Sequence, residues 1–359
     1  MNPFIYEALS LRVIVECKGL QKLSQEIERL GLTRVLLIST PSKEAAASSV
    51  VKALGQRLVG HFNEEAPHVR IEVANVVRQL AKSTAADGIV ALGGGSTIGL
   101  AKAVAVEQHL AILAIPTTYS GSEVTPVYGM TENGVKHGYR DPMSLPKTVI
   151  YDPELIVSMP PMLSLTSAMN AMAHSAEALY ASDANPIISL MAEESIRALT
   201  LSLPTVVASP DDLQARSLSF YGSWLAGMSL AGVGMSLHHK LCHVLGGSFG
   251  LPHAQTHTVM LPYALSYNAE AAPEAMMRIK RAMGGDAATS VASGLWSFVK
   301  RLGGPTSLQA IGMKSSDLER ATDLAMQSPY YSPRPIEHAA IRSLLDDAFL
   351  GTQPKNQGH

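Results

Sequence analysis

Five of the chain's twelve histidines fall in one stretch, Ser236 to Asn268: His238, His239, His243, His253 and His257. His239 and His243 are four residues apart, so on a helix both project from one face. Gly246 and Gly247 then offer a helix stop, because glycine tolerates the left-handed conformation there. His253 follows Pro252 in the next loop, from which its side chain can turn back toward the helix. Upstream, Asn170 and His174 repeat the four-residue spacing. Imidazoles donate hydrogen bonds, carry charge and titrate near neutrality. Their convergence suits proton delivery and stabilisation of a developing oxyanion. A single histidine in an apolar context reads as a satisfied core residue; this density, with two helical pairs, reads as an active site. Cys242, beside the pair, reads as a packing residue and not as a nucleophile.

The chain that must position these groups has 359 residues, 47% hydrophobic and 16% charged, with a formal net charge of −2. That length predicts one large or two ordinary domains. The charge leaves no footprint for nucleic acid or an anionic membrane surface. Two cysteines without paired spacing, Cys17 and Cys242, suit a reducing cytoplasm. The N-terminus lacks the basic and long apolar regions of a signal peptide, and no apolar run reaches the roughly 18 residues of a membrane span.

In the N-terminal half, β-type runs alternate with helical ones. Arg12–Glu16, Arg34–Ser39, Leu58–Phe62, Gly88–Leu92, Ala111–Ile115 and Thr148–Tyr151 read as strands, several of them continuously apolar. The helical stretches run from Gly19 to Gly31, Ser42–Leu54, Val69–Ser83 and Ile98–Val106. This pattern predicts an α/β domain with a mainly parallel, Rossmann-like sheet over residues 1–154. Such sheets bind ligands at the carboxyl ends of their strands. One such end carries Gly93-Gly94-Gly95-Ser96-Thr97 before a helix, a loop suited to phosphate: glycines admit close approach, and the helix N-terminus supplies N–H donors. The spacing is not the usual G-x-G-x-x-G, and a merely structural tight turn is the plainer alternative. The next strand ends in Thr117-Thr118-Tyr119-Ser120-Gly121-Ser122, whose hydroxyls suit phosphate or ribose. Tyr128–Pro146, with Lys136, His137 and Arg140 and followed by Lys147, reads as a hairpin or lid.

From Met159 onward apolar residues recur at helical spacing, so residues 155–359 are expected to form an all-helical substrate and catalytic domain. Its helices are predicted at Ser164–Ala181, Pro186–Leu201, Leu213–Leu230, Ser236–Leu245, His253–Ala264, Glu274–Met283, Ala287–Leu302, Ser316–Ala325 and Ile336–Leu350. The α/β domain would carry a cofactor and the helical domain the substrate groups.

Several separated motifs resemble the iron-containing alcohol dehydrogenase superfamily over nearly the whole chain. They are Gly93-Gly94-Gly95-Ser96, Pro116-Thr117-Thr118 with Gly121-Ser122-Glu123, and Pro146-Lys147 with Asp152-Pro153-Glu154-Leu155. The others are Asn170-x-x-x-His174, and His239-x-x-x-His243-x-Leu245-Gly246 with Pro252-His253 and Leu261-Pro262-Tyr263. The resemblance implies the fold of that superfamily and a homodimer. Its metal-dependent members place a divalent ion on an aspartate and three histidines; His174, His239 and His253 match the histidines, and Asn170 stands at the aspartate position. A neutral amide is a poorer ligand than a carboxylate, so no metal is expected.

That substitution, together with 117–155 and 329–336 (PYYSPRPI), is similar to the maleylacetate reductase branch. The resemblance implies an oxidoreductase that reduces the C=C bond of maleylacetate to 3-oxoadipate with NADH or NADPH, in aromatic compound catabolism. The alternative is a metal-dependent alcohol or glycerol dehydrogenase. On this reading His243 and His253 are the acid and oxyanion partners, and Asn170, His174 and His239 complete the substrate pocket. Arg140 and Arg334 are candidates for the two substrate carboxylates. Cofactor-binding candidates are Gly93, Gly94, Gly95, Ser96, Thr97, Thr117, Thr118, Ser122 and Lys147. Thr40 joins them at the end of its strand, where a neutral hydroxyl would tolerate either cofactor.

Overall fold

A computed structural model describes residues 3–66, 69–132, 135–286, 288–327 and 330–354. Ala287 and Pro329, named above at the start of a helix and of a motif, lie outside the described residues. The chain forms two compact units: Glu7–Met159 with Pro210–Gly227, and Pro160–Ser209 with Met228–His359 and the first six residues.

The first unit is built on a six-stranded parallel sheet of order β1-β8-β5-β4-β2-β3. Its strands are β1 (Arg12–Val15), β2 (Val35–Ser39), β3 (Leu58–Asn63), β4 (Gly88–Gly93), β5 (Ala111–Pro116) and β8 (Thr148–Tyr151). Side chains alternate across a strand, and the core follows that alternation. Leu36, Ile38, Ile89, Ala91 and Ile112 pack on one face with Val77 of α3 (Ile71–Ser83) and Ile98 of α4 (Gly95–Gln108). Val35, Leu37, Val90, Leu92, Leu113 and Ile115 pack on the other with Ile27 of α1 (Leu23–Arg29) and Val50 of α2 (Glu44–Leu54). Both faces are buried, so the strands read as continuous apolar runs. Strands β6 (Val127–Glu132) and β7 (Val135–Arg140) form the expected hairpin.

The sequence reading draws a single line between residues 154 and 155, whereas contacts group Pro210–Gly227 with the sheet. That segment holds most of α7 (Leu213–Gly232). Within the unit, the buried Arg216 guanidinium donates to the carbonyls of Pro210 (2.8 Å) and Met159 (3.1 Å) and to the Tyr119 hydroxyl (3.1 Å). Phe220 lies against the rings of Tyr119 and Tyr151.

The second unit is helical. α5 (Pro161–Ala178) is buried all round from Ser164 onward, which its Ala, Ser and Met surface permits. It packs with α6 (Pro186–Ala208) and α9 (His253–Asn268). α8 (Leu237–Phe249) packs on α9 and α12 (Leu318–Met326), and α13 (His338–Leu350) packs on α9 and α12, around Leu241, Leu245, Met260 and Leu345. α10 (Pro273–Ala282) and α11 (Val291–Arg301) complete it. One local expectation is corrected. α8 does not stop at Gly246-Gly247 but continues to Phe249, and the left-handed residue that ends it is Gly250 (φ 69°). His253 opens α9 behind Pro252, where the predicted helix His253–Ala264 begins. Among the described residues no helix is long and apolar enough to cross a membrane.

Candidate active site

In the helical unit, α5, α8 and α9 bring the imidazoles together. α5 contributes Asn170 and His174 from one face; α8 contributes His238, His239 and His243; α9 contributes His253 and His257. The His174 and His239 rings stack at 5.1 Å between centroids, His239 meets His257 at 5.1 Å and His243 at 6.1 Å, and His253 meets His257 at 4.5 Å. Burial grades across the cluster. His238 and His257 are wholly buried, Asn170, His174 and His239 are 6%, 5% and 4% exposed, and His243 and His253 are exposed. Burial drives His174, His238 and His257 well below the usual imidazole value, with neighbouring imidazoles adding to it. These three are therefore neutral at physiological pH.

Hydrogen bonds order the rest. The Nε2 of His238 and Nδ1 of His257 share a proton at 2.9 Å. His243 Nδ1 lies 3.2 Å from the Tyr330 hydroxyl. Glu177, three residues after His174 on α5, accepts from His239 Nδ1 at 2.6 Å. Asn170 Oδ1, His174 Nδ1 and His239 Nε2 are buried without a hydrogen-bond partner. Polar atoms left so in a native interior call for a ligand or a cost of roughly 1–3 kcal/mol each. Arg334 lies elsewhere on the unit. Its guanidinium covers the Tyr267 ring at 4.3 Å, near the C-terminal end of α9, roughly 21 Å of helix rise from His253.

In the sheet unit, β4 delivers Gly93 directly into α4, which begins at Gly95 and not at Ile98. The first-turn N–H groups are thus those of Gly95, Ser96 and Thr97, at the carboxyl edge of the sheet. A Cβ on Gly93 would collide with the Thr97 side chain, and one on Gly94 would touch Thr118 at 3.0 Å. The loop therefore requires glycine, and it lies against the hydroxyl loop after β5. Thr117 N–H donates to the Gly93 carbonyl at 2.9 Å, and Ser120 and Ser122 hydroxyls are 3.3 Å apart. Thr40 follows β2 directly, with its hydroxyl 3.1 Å from that of Ser42. Lys147 is exposed just before β8, and Arg140 is exposed on β7.

Sequence reasoning passed over Glu177 and Lys102. Lys102 is wholly buried in α4 and donates to the carbonyls of Ser122, Thr125 and Val127. Each is a lone charge in an otherwise apolar helical stretch, and Glu177 also falls at i+3 and i+7 from His174 and Asn170. That spacing was the available signal.

Similarity to known proteins now bears on the site. Residues 11–153 match a family model described as iron-containing alcohol dehydrogenase. Residues 164–349 match one described as Fe-containing alcohol dehydrogenase family, C-terminal. The chain is 51% identical over 354 residues to a maleylacetate reductase of Burkholderia cepacia, covering 99% of this chain and 100% of that one. The crystal structure of maleylacetate reductase from Agrobacterium tumefaciens superposes with a TM-score of 0.94 at 48% identity, covering 99% and 100% of the two chains. A putative alcohol dehydrogenase from Ralstonia eutropha superposes at 0.97 with 54% identity and the same coverage.

The expectation of no metal is corrected by these matches, because iron characterises the family. The residues present fit a divalent ion. Exchanging carboxylate for amide at Asn170 removes a charge but keeps a hard oxygen, and imidazoles remain beside it, ligands that suit iron and zinc. The three partnerless atoms of Asn170, His174 and His239 are the structural sign of that fit. Over both units, in sequence and in fold, the chain belongs to the iron-containing alcohol dehydrogenase family.

Proposed function

We propose that this chain reduces the C=C bond of maleylacetate to 3-oxoadipate with NADH or NADPH, a step in the catabolism of aromatic compounds. The observation that carries this reading is the full-length match to maleylacetate reductases. The α/β unit binds the cofactor: the first-turn N–H groups of Gly95, Ser96 and Thr97 receive the pyrophosphate. Gly93 and Gly94 allow its approach, Thr117, Thr118, Ser122 and Lys147 contribute side chains, and Thr40 lies at the adenosine ribose. The helical unit binds the substrate. Asn170, His174, His239 and His253 would hold the divalent ion, which when bound supplies a Lewis acid for a carbonyl oxygen.

The nicotinamide, when bound, would supply hydride to the alkene carbon β to the ketone, which would leave negative charge spread over the ketone oxygen and the carbon between. His243 delivers the proton to that carbon. The Tyr330 hydroxyl lies 3.2 Å from Nδ1, which leaves Nε2 as the nitrogen that would carry the proton to the substrate. Replacing the proton from solvent suits an exposed imidazole. His253, the other candidate acid or oxyanion partner, belongs with the ion-holding set on this reading. Arg140 is the candidate for a substrate carboxylate, which a guanidinium group binds bidentately; Arg334, over the Tyr267 ring at the far end of α9, stands away from the histidines and takes no part in this reading. The enzyme acts as a cytoplasmic homodimer; two unbridged cysteines, Cys17 and Cys242, suit that compartment.

The test follows NADH and NADPH oxidation with maleylacetate, with 3-oxoadipate identified by mass spectrometry. The same enzyme is assayed for oxidation of simple alcohols and glycerol with NAD. Turnover of maleylacetate supports the reading. Alcohol oxidation without it overturns the reading in favour of an alcohol dehydrogenase.

A further inference from the structure

We infer that Glu177 is a positioning residue for His239, holding it in the tautomer that leaves Nε2 as a bare lone pair. The inference rests on the assignment of the imidazole cluster as the ion-holding set. Glu177 sits wholly buried on α5 and accepts three N–H bonds with two oxygens. Its Oε1 accepts from the backbone N–H of His238 at 2.7 Å. Its Oε2 accepts from the backbone N–H of Ser236 at 2.8 Å and from His239 Nδ1 at 2.6 Å. A carboxylate has acceptors only, so the proton on that short bond belongs to Nδ1. A metal-binding imidazole is neutral, and with its one proton on Nδ1 it carries none on Nε2, the atom that is buried and partnerless.

The two backbone donors give the arrangement its rigidity. Ser236 is the N-cap of α8 and His238 its second residue, and the Ser236 side chain makes no capping bond. First-turn N–H groups have no partner within their own helix and favour a negative charge. Here α5 supplies it. One carboxylate therefore sets both where α8 begins and which nitrogen His239 presents from its first turn. A carboxylate behind a metal-binding imidazole also raises the basicity of the ligating nitrogen. A carboxylate that merely capped α8 would do none of this for the ring.

The experiment has two readouts besides activity. First, nitrogen-15 imidazole shifts are recorded on metal-free protein, with His239 assigned by comparison with His239→Gln. A protonated Nδ1 and bare Nε2 are expected; a proton on Nε2 overturns the inference. Second, Zn²⁺ affinity is measured by competition with a chromophoric chelator for wild type, Glu177→Ala, His239→Ala and the double variant. Glu177→Ala is expected to weaken Zn²⁺ binding by roughly 10–100-fold, with little further loss once His239 is absent. An equal loss in both backgrounds would mean that Glu177 acts on the fold and not through His239, and would overturn the inference. If Glu177→Ala does not fold, the wild-type spectrum still decides. If wild type binds no divalent ion, the ion-holding assignment fails while the tautomer remains a separate result.

Discussion

Lys102 makes stability depend on pH in a direction that can be worked out in advance. Its ammonium lies wholly inside the α/β unit, 2.5 Å from the Ser122 carbonyl, 2.7 Å from that of Thr125 and 2.8 Å from that of Val127. Glu123, also buried, accepts from the Tyr151 hydroxyl at 2.7 Å and the Ser120 hydroxyl at 2.9 Å. Burial pushes Lys102 from 10.5 down to about 7, with the Glu123 charge opposing the shift. Between those values the unfolded chain binds the proton that the folded chain releases. Stability must therefore rise with pH across that window and be insensitive to this group below it. The full span, 10.5 minus about 7, is worth about 5 kcal/mol at 1.36 kcal/mol per unit. About 2 kcal/mol of it falls between about pH 7 and about pH 9. Lys102→Met abolishes the term. Its lost hydrogen bonds shift stability by a constant amount, whereas the pH slope isolates the proton. Urea unfolding of both proteins, followed by Trp224 fluorescence in a Trp296→Phe background, reports the unit that holds Lys102. The wild-type advantage over Lys102→Met should grow with pH. A difference that stays flat, or shrinks as pH rises, refutes the reasoning.

Three further outcomes follow from the site and its supports. His243→Ala and His253→Ala should each lower kcat by roughly 10²-fold or more while circular dichroism stays native; near-wild-type turnover would remove that residue from the mechanism. Thr40→Asp should reduce kcat/KM for NADPH selectively, by placing a charge where the 2′-phosphate would lie. A wild type that already discriminates between cofactors by more than about a hundredfold, roughly 2.7 kcal/mol, would show that another position reads the ribose. Gly227→Ala should cost about 1–3 kcal/mol by chemical denaturation, since its Cβ would run into the carbonyl oxygen of Gly121, a residue held at φ 73°. Unchanged stability would mean that α7 shifts to make room.

Much of the frame was legible because its signals are local. Two-sided burial writes Val35–Ser39 and Gly88–Gly93 as unbroken apolar runs, and the strand-to-helix passage through Gly93-Gly94-Gly95 is visible in the residue types alone. The four-residue spacing of Asn170 with His174, and of His239 with His243, identified the faces that meet. Local signals were less secure at ends. Gly246-Gly247 resembles a stop, but a helix tolerates glycine, and what ends α8 is the left-handed residue Gly250. The metal expectation went astray for a related reason. It weighed one exchanged ligand, whereas binding depends on the whole set of donors and on what stands behind them.

The sequence by itself determined the order of elements, the two kinds of architecture, the nucleotide-loop candidate and the histidines that are candidates for the site. It did so because side-chain periodicity and glycine geometry act over a few residues. Only the tertiary structure decided that Glu177 reaches Ser236, His238 and His239 across about sixty residues of chain, that Lys102 holds the turn around Thr125 from inside α4, and that most of α7 joins the sheet. Those are bonds between groups distant in sequence, made by buried polar atoms that must find a partner wherever the fold places one. Which partner is near is a property of the packed chain and has no signature in residue spacing.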